Sequence, residues 1–169
     1  AGGGTDAGAA HIFRLDRASG RWNEEHRIVL PSPRPGDWFG YSVAVSGGLV
    51  AIGCPLCDAG AVSDTGAVYF YEKVGATWTS TGQVRAAVPA DNNCVGTAVS
   101  LAGDRLATAG GCSMSLPTPV RIYQRSGGGW SPDAVPPDAL QISALVLGDD
   151  SLAVGTPLDS SGTGVPGDT

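Results

Sequence analysis

The chain has 169 residues, 42% of them hydrophobic and 15% charged, and its formal net charge is −6. This composition provides enough apolar side chains for a buried core and excludes compositional disorder. The basic residues are scattered singly, which argues against a nucleic-acid partner because phosphate binding needs clustered positive charge. No apolar run reaches membrane-spanning length, so we expect no membrane insertion by this segment.

The first predicted element is an aromatic strand over residues 8–13, and a Gly-containing turn then leads to a second strand that begins at Trp22. A unit of four predicted strands comes next. Its first two strands are the apolar runs on either side of Gly47-Gly48, its third is the aromatic run 66–71, and its fourth begins at Trp78. No segment shows a sustained helical period with caps, so we predict strands throughout.

This unit recurs along the chain. Residues 39–55 align with residues 95–111 at an offset of 56, and a third stretch that ends at Pro157 follows at an offset of 46. Repeats of this length are typical of solenoids and propellers, and four hairpin-linked strands are the content of one propeller blade. We therefore predict an all-β fold of β-propeller blades, each with four antiparallel strands and about three blades present. The predicted units are 1–36 (the end of a blade), 37–91, 92–139, and 140–169 (the start of a blade).

About three blades are too few to close a ring, because propellers have roughly four to eight. We therefore expect the chain to be part of a larger protein whose remaining blades complete the propeller. The alternative is an open three-blade array that stands alone. Bare sheet edges and exposed blade faces would make such an array prone to aggregation, which disfavours it.

Alternate residues in the first strand of each unit share one face of the sheet. These pairs are Val43 and Val45, Val99 and Leu101, and Leu145 and Leu147. Trp22, Trp78 and Trp130 recur at one blade position, so we expect them to pack in the structure rather than to stack on a ligand. Trp38 is not repeated, which makes it the candidate contact residue.

The motif Phe39-Gly40, with Ser42-Val43-Ala44 behind it and Gly53 and Pro55 at the end of the next strand, resembles the FG-GAP repeat family. That family forms the β-propeller head of integrin α chains and many secreted or surface propellers. The resemblance implies structural roles for these residues. A Gly after the Phe permits close backbone approach or an unusual φ, and Pro55 ends a strand because it cannot donate to the ladder.

The later repeats keep only part of this motif. The second has Gly96 but carries Val95 in place of the Phe, and the third retains Gly155 and Pro157. Many family members carry an Asp-rich calcium loop between their first two strands. The corresponding connections here, residues 46–48, 102–104 and 148–150, are tight turns with too few carboxylates for the six to eight oxygens that calcium takes. We predict no metal and no cofactor, and we interpret Asp58 and Asp64 as solvated loop acids.

The four cysteines are predicted to form two disulfides. Cys94 and Cys112 lie nine residues on either side of Gly103, so a hairpin centred there would place them opposite each other. Cys54 and Cys57 form a CxxC motif, for which a redox pair, half of a zinc site and a local disulfide are the alternatives. The disulfide is favoured, because the sequence shows no thioredoxin-like context, no second CxxC and no Cys/His pair at a suitable spacing nearby. Paired cysteines indicate an oxidising, extracellular compartment.

No nucleophile motif or convergent set of catalytic residues stands out in the sequence, so we expect a protein that is not an enzyme. The leading hypothesis is a non-catalytic extracellular or cell-surface propeller segment that serves as an adhesion or assembly platform and binds a protein or glycan. One alternative is an accessory or site-forming propeller domain of a secreted hydrolase or lyase. Another is a structural subunit of a surface filament.

Overall fold

The computed structural model describes residues 5–112, 117–118, 120–133, 139–140 and 142–156, and every regular element in these residues is a β-strand. The strands are β1 (Ala10–Asp16), β2 (Arg21–Ile28), β3 (Val43–Ser46), β4 (Leu49–Cys54), β5 (Ala67–Val74), β6 (Thr77–Val84), β7 (Ala98–Ala102), β8 (Arg105–Ala109), β9 (Pro117–Thr118), β10 (Val120–Ser126), β11 (Gly129–Pro132), β12 (Ala139–Leu140), β13 (Ala144–Leu147) and β14 (Leu152–Gly155). None of the described segments is a long apolar helix of the kind that crosses a membrane. Pro157, which the sequence analysis singled out, lies outside the described residues.

Two antiparallel sheets of four strands each form the centre of the molecule. The first complete blade has the strand order β3-β4-β5-β6, and the second complete blade has the equivalent order β7-β8-β10-β11. Each begins with a hairpin closed by two residues, because Ser46 pairs with Leu49 and Ala102 pairs with Arg105. Gly47 and Gly103 provide the positive φ that such tight turns need. The predicted all-β fold with blade-like sheets is confirmed.

Two strand pairs flank the complete blades. The outer pair, β1–β2, corresponds to the third and fourth strands of a blade, and the inner pair, β13–β14, corresponds to the first and second. The short strands β9 and β12 form a separate small sheet. The structure therefore contains, in chain order, the outer half of one blade, two complete blades and the inner half of another.

Hydrophobic cores lie between successive sheets rather than within one sheet. Alternate residues of β5 contribute to different cores: Tyr71 packs toward the outer pair, and Phe70 packs toward the second complete blade. A third core joins Ile122 of the second complete blade to Leu145 and Leu147 of the inner pair. Both faces of a complete blade are thus covered. This explains why small or apolar residues, such as Ala51 and Ala107, alternate with larger ones.

The repeated tryptophans do not share one environment. Trp130 stacks on Phe70 of the preceding blade with ring centroids 4.4 Å apart and planes 15° apart, and Trp78 packs against the core next to the outer pair. Trp22 instead is 67% exposed, so the prediction that it packs in the structure is wrong. The face of the outer pair that carries Trp22 has no sheet against it within the described residues.

Candidate binding rim

The connections between blades meet at one end of the sheets, and Phe39 lies at the base of one of them. Its side chain is buried and meets the rings of Tyr69 and Tyr71 edge-on, with centroids 5.7 and 6.5 Å away. Its amide donates to the carbonyl oxygen of Ala7 at 3.0 Å, next to a parallel bridge between Phe39 and Gly8. Phe39 therefore fixes both the side-chain packing and the backbone junction between the outer pair and the first complete blade.

The glycines of this junction occupy places where a side chain does not fit. Gly40 and Gly96 have φ of +93° and +98°, in the region that non-glycine residues rarely adopt. A Cβ at Gly40 would overlap the carbonyl oxygen of Ala9, and a Cβ at Gly96 would lie 2.6 Å from that of Ala67. Both positions thus need glycine for backbone conformation and for space.

The end of the second strand is equally close to its neighbour. A Cβ at Gly53 would overlap the carbonyl oxygen of Gly96, to which the Ser42 hydroxyl donates at 2.7 Å. Pro55 follows and is almost fully buried. Gly155, at the end of β14, is less confined, since the nearest atom to a Cβ there would be the Ser143 hydroxyl oxygen at 3.4 Å.

Trp38 stands on this rim with its ring facing solvent. It is 46% exposed and stacks on Tyr41, which is 58% exposed, with the ring planes 9° apart and the centroids 5.8 Å apart. The backbone beneath the rings is held in place. The Trp38 amide donates to the carbonyl oxygen of Asp6 at 3.2 Å, and the Tyr41 amide donates to that of Trp38 at 3.1 Å. Together these contacts present a flat aromatic surface on an ordered loop.

Charged residues stiffen the loops around this surface. Asp37 is buried, and its carboxylate accepts the Arg34 amide at 2.6 Å. The Arg34 guanidinium in turn donates to Asp58 at 2.8 Å, and the other oxygen of Asp58 accepts the amide of Asp64 at 3.1 Å. Asp58 is therefore not a freely solvated acid, as the sequence suggested, but a link between two loops.

The residues of this junction lie in a segment that matches a known family. The family model described as the FG-GAP repeat matches residues 22–71, which contain Phe39, Gly40, Gly53 and Pro55. This segment of the chain is therefore identified as an FG-GAP repeat. A comparison with curated proteins found no match to this chain. FG-GAP repeats form β-propeller domains that are often extracellular, and the sheets of this structure agree with that fold.

The structure contains both expected disulfides, Cys54–Cys57 and Cys94–Cys112, each with a Cα–Cα distance of 5.5 Å. The spacing around Gly103 suggested that Cys94 and Cys112 face each other across a hairpin ladder, but the structure brings them together in a different way. The β7–β8 ladder pairs Ala98 with Ala109, and Cys94 precedes it in a turn with φ of +47°. Cys94 occupies the position in its FG-GAP repeat that Trp38, with φ of +56°, occupies in the preceding one. The junction is thus covered by an aromatic pair in one repeat and by a disulfide in the next.

A possible cluster of metal ligands lies beneath the rim, where Asp37, Cys54 and Cys57 bring their ligand atoms within 4.8 Å of one another. Because the two sulfurs are bonded to each other, neither is the thiolate that a metal would require. With the disulfide formed, Cys54 and Cys57 close a loop and are not available as metal ligands.

Arg85 is a central residue of the rim that the sequence analysis missed. Its guanidinium donates at 3.1–3.4 Å to oxygens of Cys57, Thr65, Gly66 and Tyr69. The Tyr123 hydroxyl then donates to the carbonyl oxygen of Arg85 at 3.3 Å. Burial raises the pKa of the Tyr69 hydroxyl above its ordinary value. No short motif marks this network, because its members come from four separate segments.

The hairpins at the other end of the blades line a cleft of about 410 Å³ whose walls include Glu72, Lys73 and Arg125. These side chains are already paired: Lys73 binds Glu25, and Arg125 binds Glu72. Hydrogen bonds and charge from Arg14 and Lys73 lower the pKa of Glu25 to about 2. Because these charges compensate one another, they are less available to bind a ligand than the exposed aromatic rings at the rim.

Proposed function

We propose that this chain is a non-catalytic extracellular or cell-surface propeller segment that serves as an adhesion or assembly platform. Its loop rim, centred on Trp38 and Tyr41, binds a protein or glycan. The observation that carries the proposal is the exposed, stacked aromatic pair on a loop whose backbone is fixed by hydrogen bonds. Aromatic residues of this kind are enriched where proteins bind their partners.

The surroundings of Trp38 favour binding rather than catalysis. Asp37 is buried and accepts a backbone amide, and Arg34 is held by Asp58. These groups brace the loop, and none is poised as an acid or base beside a nucleophile. A preorganised rim also lowers the entropy that binding would otherwise cost, because the loop is already ordered.

Two disulfides and the FG-GAP match support an extracellular or cell-surface location. Sγ of Cys54 lies 3.2 Å from the carbonyl oxygen of Asp37, the residue before Trp38. Cys57 directly precedes Asp58, which accepts a hydrogen bond from Arg34. In a reducing compartment this brace would be lost. The proposed location and the proposed binding surface therefore depend on the same covalent link.

The proposal is tested by probing a printed glycan array, and by measuring cell attachment to plates coated with the chain, using the unchanged protein and Trp38→Ala. We expect binding to fall about thirtyfold in Trp38→Ala, which corresponds to a hot-spot loss of about 2 kcal/mol, and to be largely retained in Trp38→Phe. Val74→Ala is the matched control, since Val74 is 62% exposed and lies at the β5–β6 hairpin, at the opposite end of the blade.

Two results would contradict the proposal. One is the absence of any bound glycan or attached cell with the unchanged protein. The other is binding that Trp38→Ala and Tyr41→Ala leave intact while their unfolding midpoints match that of the unchanged protein. Turnover of glycosidic or phosphodiester substrates that a single substitution in the rim abolishes would instead support the hydrolase or lyase alternative.

A further inference from the structure

Three buried side chains with metal-binding atoms meet beneath the loop rim. Cys54 ends β4 and Cys57 lies in the turn after it, whereas Asp37 comes from the loop before Trp38. The ligand atoms of the three lie within 4.8 Å of one another, and each residue is at most 5% exposed. The cluster therefore lies wholly within the first complete blade and the loop that leads into it.

These residue types match one class of ion. A Cys-x-x-Cys pair has a common spacing of zinc ligands, and a carboxylate oxygen is a common further ligand. Soft thiolates favour zinc over calcium and magnesium, which prefer several oxygens. One oxygen of Asp37 accepts the amide of Arg34 at 2.6 Å, and the second oxygen of a carboxylate can bind a metal at the same time.

The distances suit zinc once the two sulfurs are no longer bonded to each other. Zinc bonds of about 2.0–2.3 Å place neighbouring ligands of a tetrahedral site about 3.3–3.8 Å apart. The Cα atoms of Cys54 and Cys57 are 5.5 Å apart, so rotation of the two side chains can bring the sulfurs to that separation. The Asp37 carboxylate then needs a shift of only about 1 Å to join them.

A nearby cation balances the charge of such a site. Two thiolates and one carboxylate carry three negative charges, of which a zinc ion offsets two. The guanidinium of Arg85 donates to the carbonyl oxygen of Cys57 at 3.4 Å and to the Tyr69 hydroxyl at 3.2 Å, so a further positive charge lies beside the cluster. The Tyr69 hydroxyl donates to Sγ of Cys57 at 3.9 Å, and outer hydrogen bonds of this kind orient metal ligands.

We propose that the reduced form of this chain binds one zinc ion through Cys54, Cys57 and Asp37, with water in the fourth position. A dithiol supplies two electrons and two protons for the reduction. The S–S bond breaks, each sulfur takes one proton, and the dithiol becomes a disulfide. Zinc binding then releases the two thiol protons to solvent. The site therefore accepts metal only after reduction.

Zinc in this site links the loop of Cys54 and Cys57 to the loop of Asp37. In the oxidised form these loops are only in contact, since Sγ of Cys54 lies 3.2 Å from the carbonyl oxygen of Asp37. Because Asp37 directly precedes Trp38, the loop that carries the aromatic pair regains an anchor in the reduced form when zinc binds. The inference concerns metal binding and does not rest on the proposed ligand of Trp38.

The first test measures zinc bound to the 169-residue chain after treatment with a dithiol, which is then removed by gel filtration without oxygen. After zinc chloride is added and the excess is removed, we expect one zinc ion per reduced chain and none per oxidised chain. The double variant Cys54→Ser and Cys57→Ser should bind none, although Cys94 and Cys112 are reduced in it as well. No zinc in the reduced chain, or an equal zinc content in this variant, would overturn the proposal.

The second test titrates the reduced chain with Co²⁺, whose absorption reports thiolate ligands and coordination geometry. We expect thiolate-to-cobalt charge-transfer bands and a tetrahedral spectrum. Asp37→Asn should weaken binding about a hundredfold, since even outer-shell partners contribute about 10–100-fold. Asp104→Asn is the matched control, because Asp104 lies in the hairpin cleft at the other end of the blades, and it should bind like the unchanged protein. An octahedral spectrum of the unchanged protein, or equal affinity in Asp37→Asn and Asp104→Asn, would refute the assigned ligands.

Discussion

Three glycines of the second complete blade allow two reasons for glycine to be tested separately: a positive φ, and the lack of space for a Cβ. Gly103 has φ of +54° and open space around a Cβ. Gly110 has an ordinary φ, but a Cβ there would lie 2.6 Å from the carbonyl oxygen of Asn93. Gly96 combines φ of +98° with a Cβ position 2.6 Å from the carbonyl oxygen of Ala67. Substituting each by Ala therefore tests conformation alone, space alone and both together.

The expected losses in the free energy of unfolding follow from these geometries. A positive φ costs a residue with a Cβ about 1–2 kcal/mol, so we expect about that much for Gly103→Ala. At Gly110 the blocking atom is backbone and must withdraw by at least 0.4 Å to reach 3.0 Å. Overpacking of this kind costs about 1–3 kcal/mol, and we expect the upper part of that range. Gly96→Ala should lose about 3–5 kcal/mol, because both costs act there.

The assay is urea unfolding followed by tryptophan fluorescence, with the midpoint compared at constant slope so that only stability changes. The order Gly96, then Gly110, then Gly103, from largest loss to smallest, is the expected result. Equal losses at Gly96 and Gly103 would refute the reasoning, since they would mean that the close approach between blades contributes nothing beyond the turn conformation.

Two further predictions concern the disulfides and an ion pair. Replacing Cys94 and Cys112 by Ala should lower the free energy of unfolding by about 3 kcal/mol, because this disulfide closes a loop with a sequence separation of 18. The same change at Cys54 and Cys57, whose sequence separation is 3, should lower it by about 2 kcal/mol. Equal losses in urea titrations would contradict this prediction. Glu25 has a folded pKa of about 2, below its ordinary 4.5, so its stabilising effect is present at neutral pH and is lost as the pH falls through this range. The stability difference between the unchanged protein and Glu25→Gln should therefore shrink from pH 5 to pH 2, and a constant difference would contradict the prediction.

The repeat made most of the blade architecture predictable. Val43-Ala44-Val45 and its two equivalents have the period of two that a strand requires, and glycine turns separate the strands. These are local signals, so the strand content and the order within a blade follow from residues close together in the chain. The disulfide partners were also predictable. The inference that Cys94 faces Cys112 across a regular ladder was wrong, because Cys94 lies in a left-handed turn that precedes the strand.

The rim was less predictable. Trp38 stood out because it breaks the repeat, yet its partner Tyr41 and the fixed backbone beneath both rings appear only in three dimensions. Arg85 carried no sequence signal at all, since the oxygens that it binds come from strand β5 and from a loop, 16 and 28 residues away along the chain. Spacing rules describe residues on one strand or hairpin and give no information about loops that meet through the packing of separate sheets.

The sequence by itself determined that this chain is a series of antiparallel strands with an FG-GAP motif, because alternation and turn residues act over a few neighbouring positions. Only the tertiary structure decided which of the equivalent positions are buried. Trp22 and Trp130 occupy the same place in their repeats, but Trp130 has Phe70 against it and Trp22 faces solvent. The physical reason is that burial depends on the neighbouring sheet, and a repeat unit does not encode whether that neighbour is present.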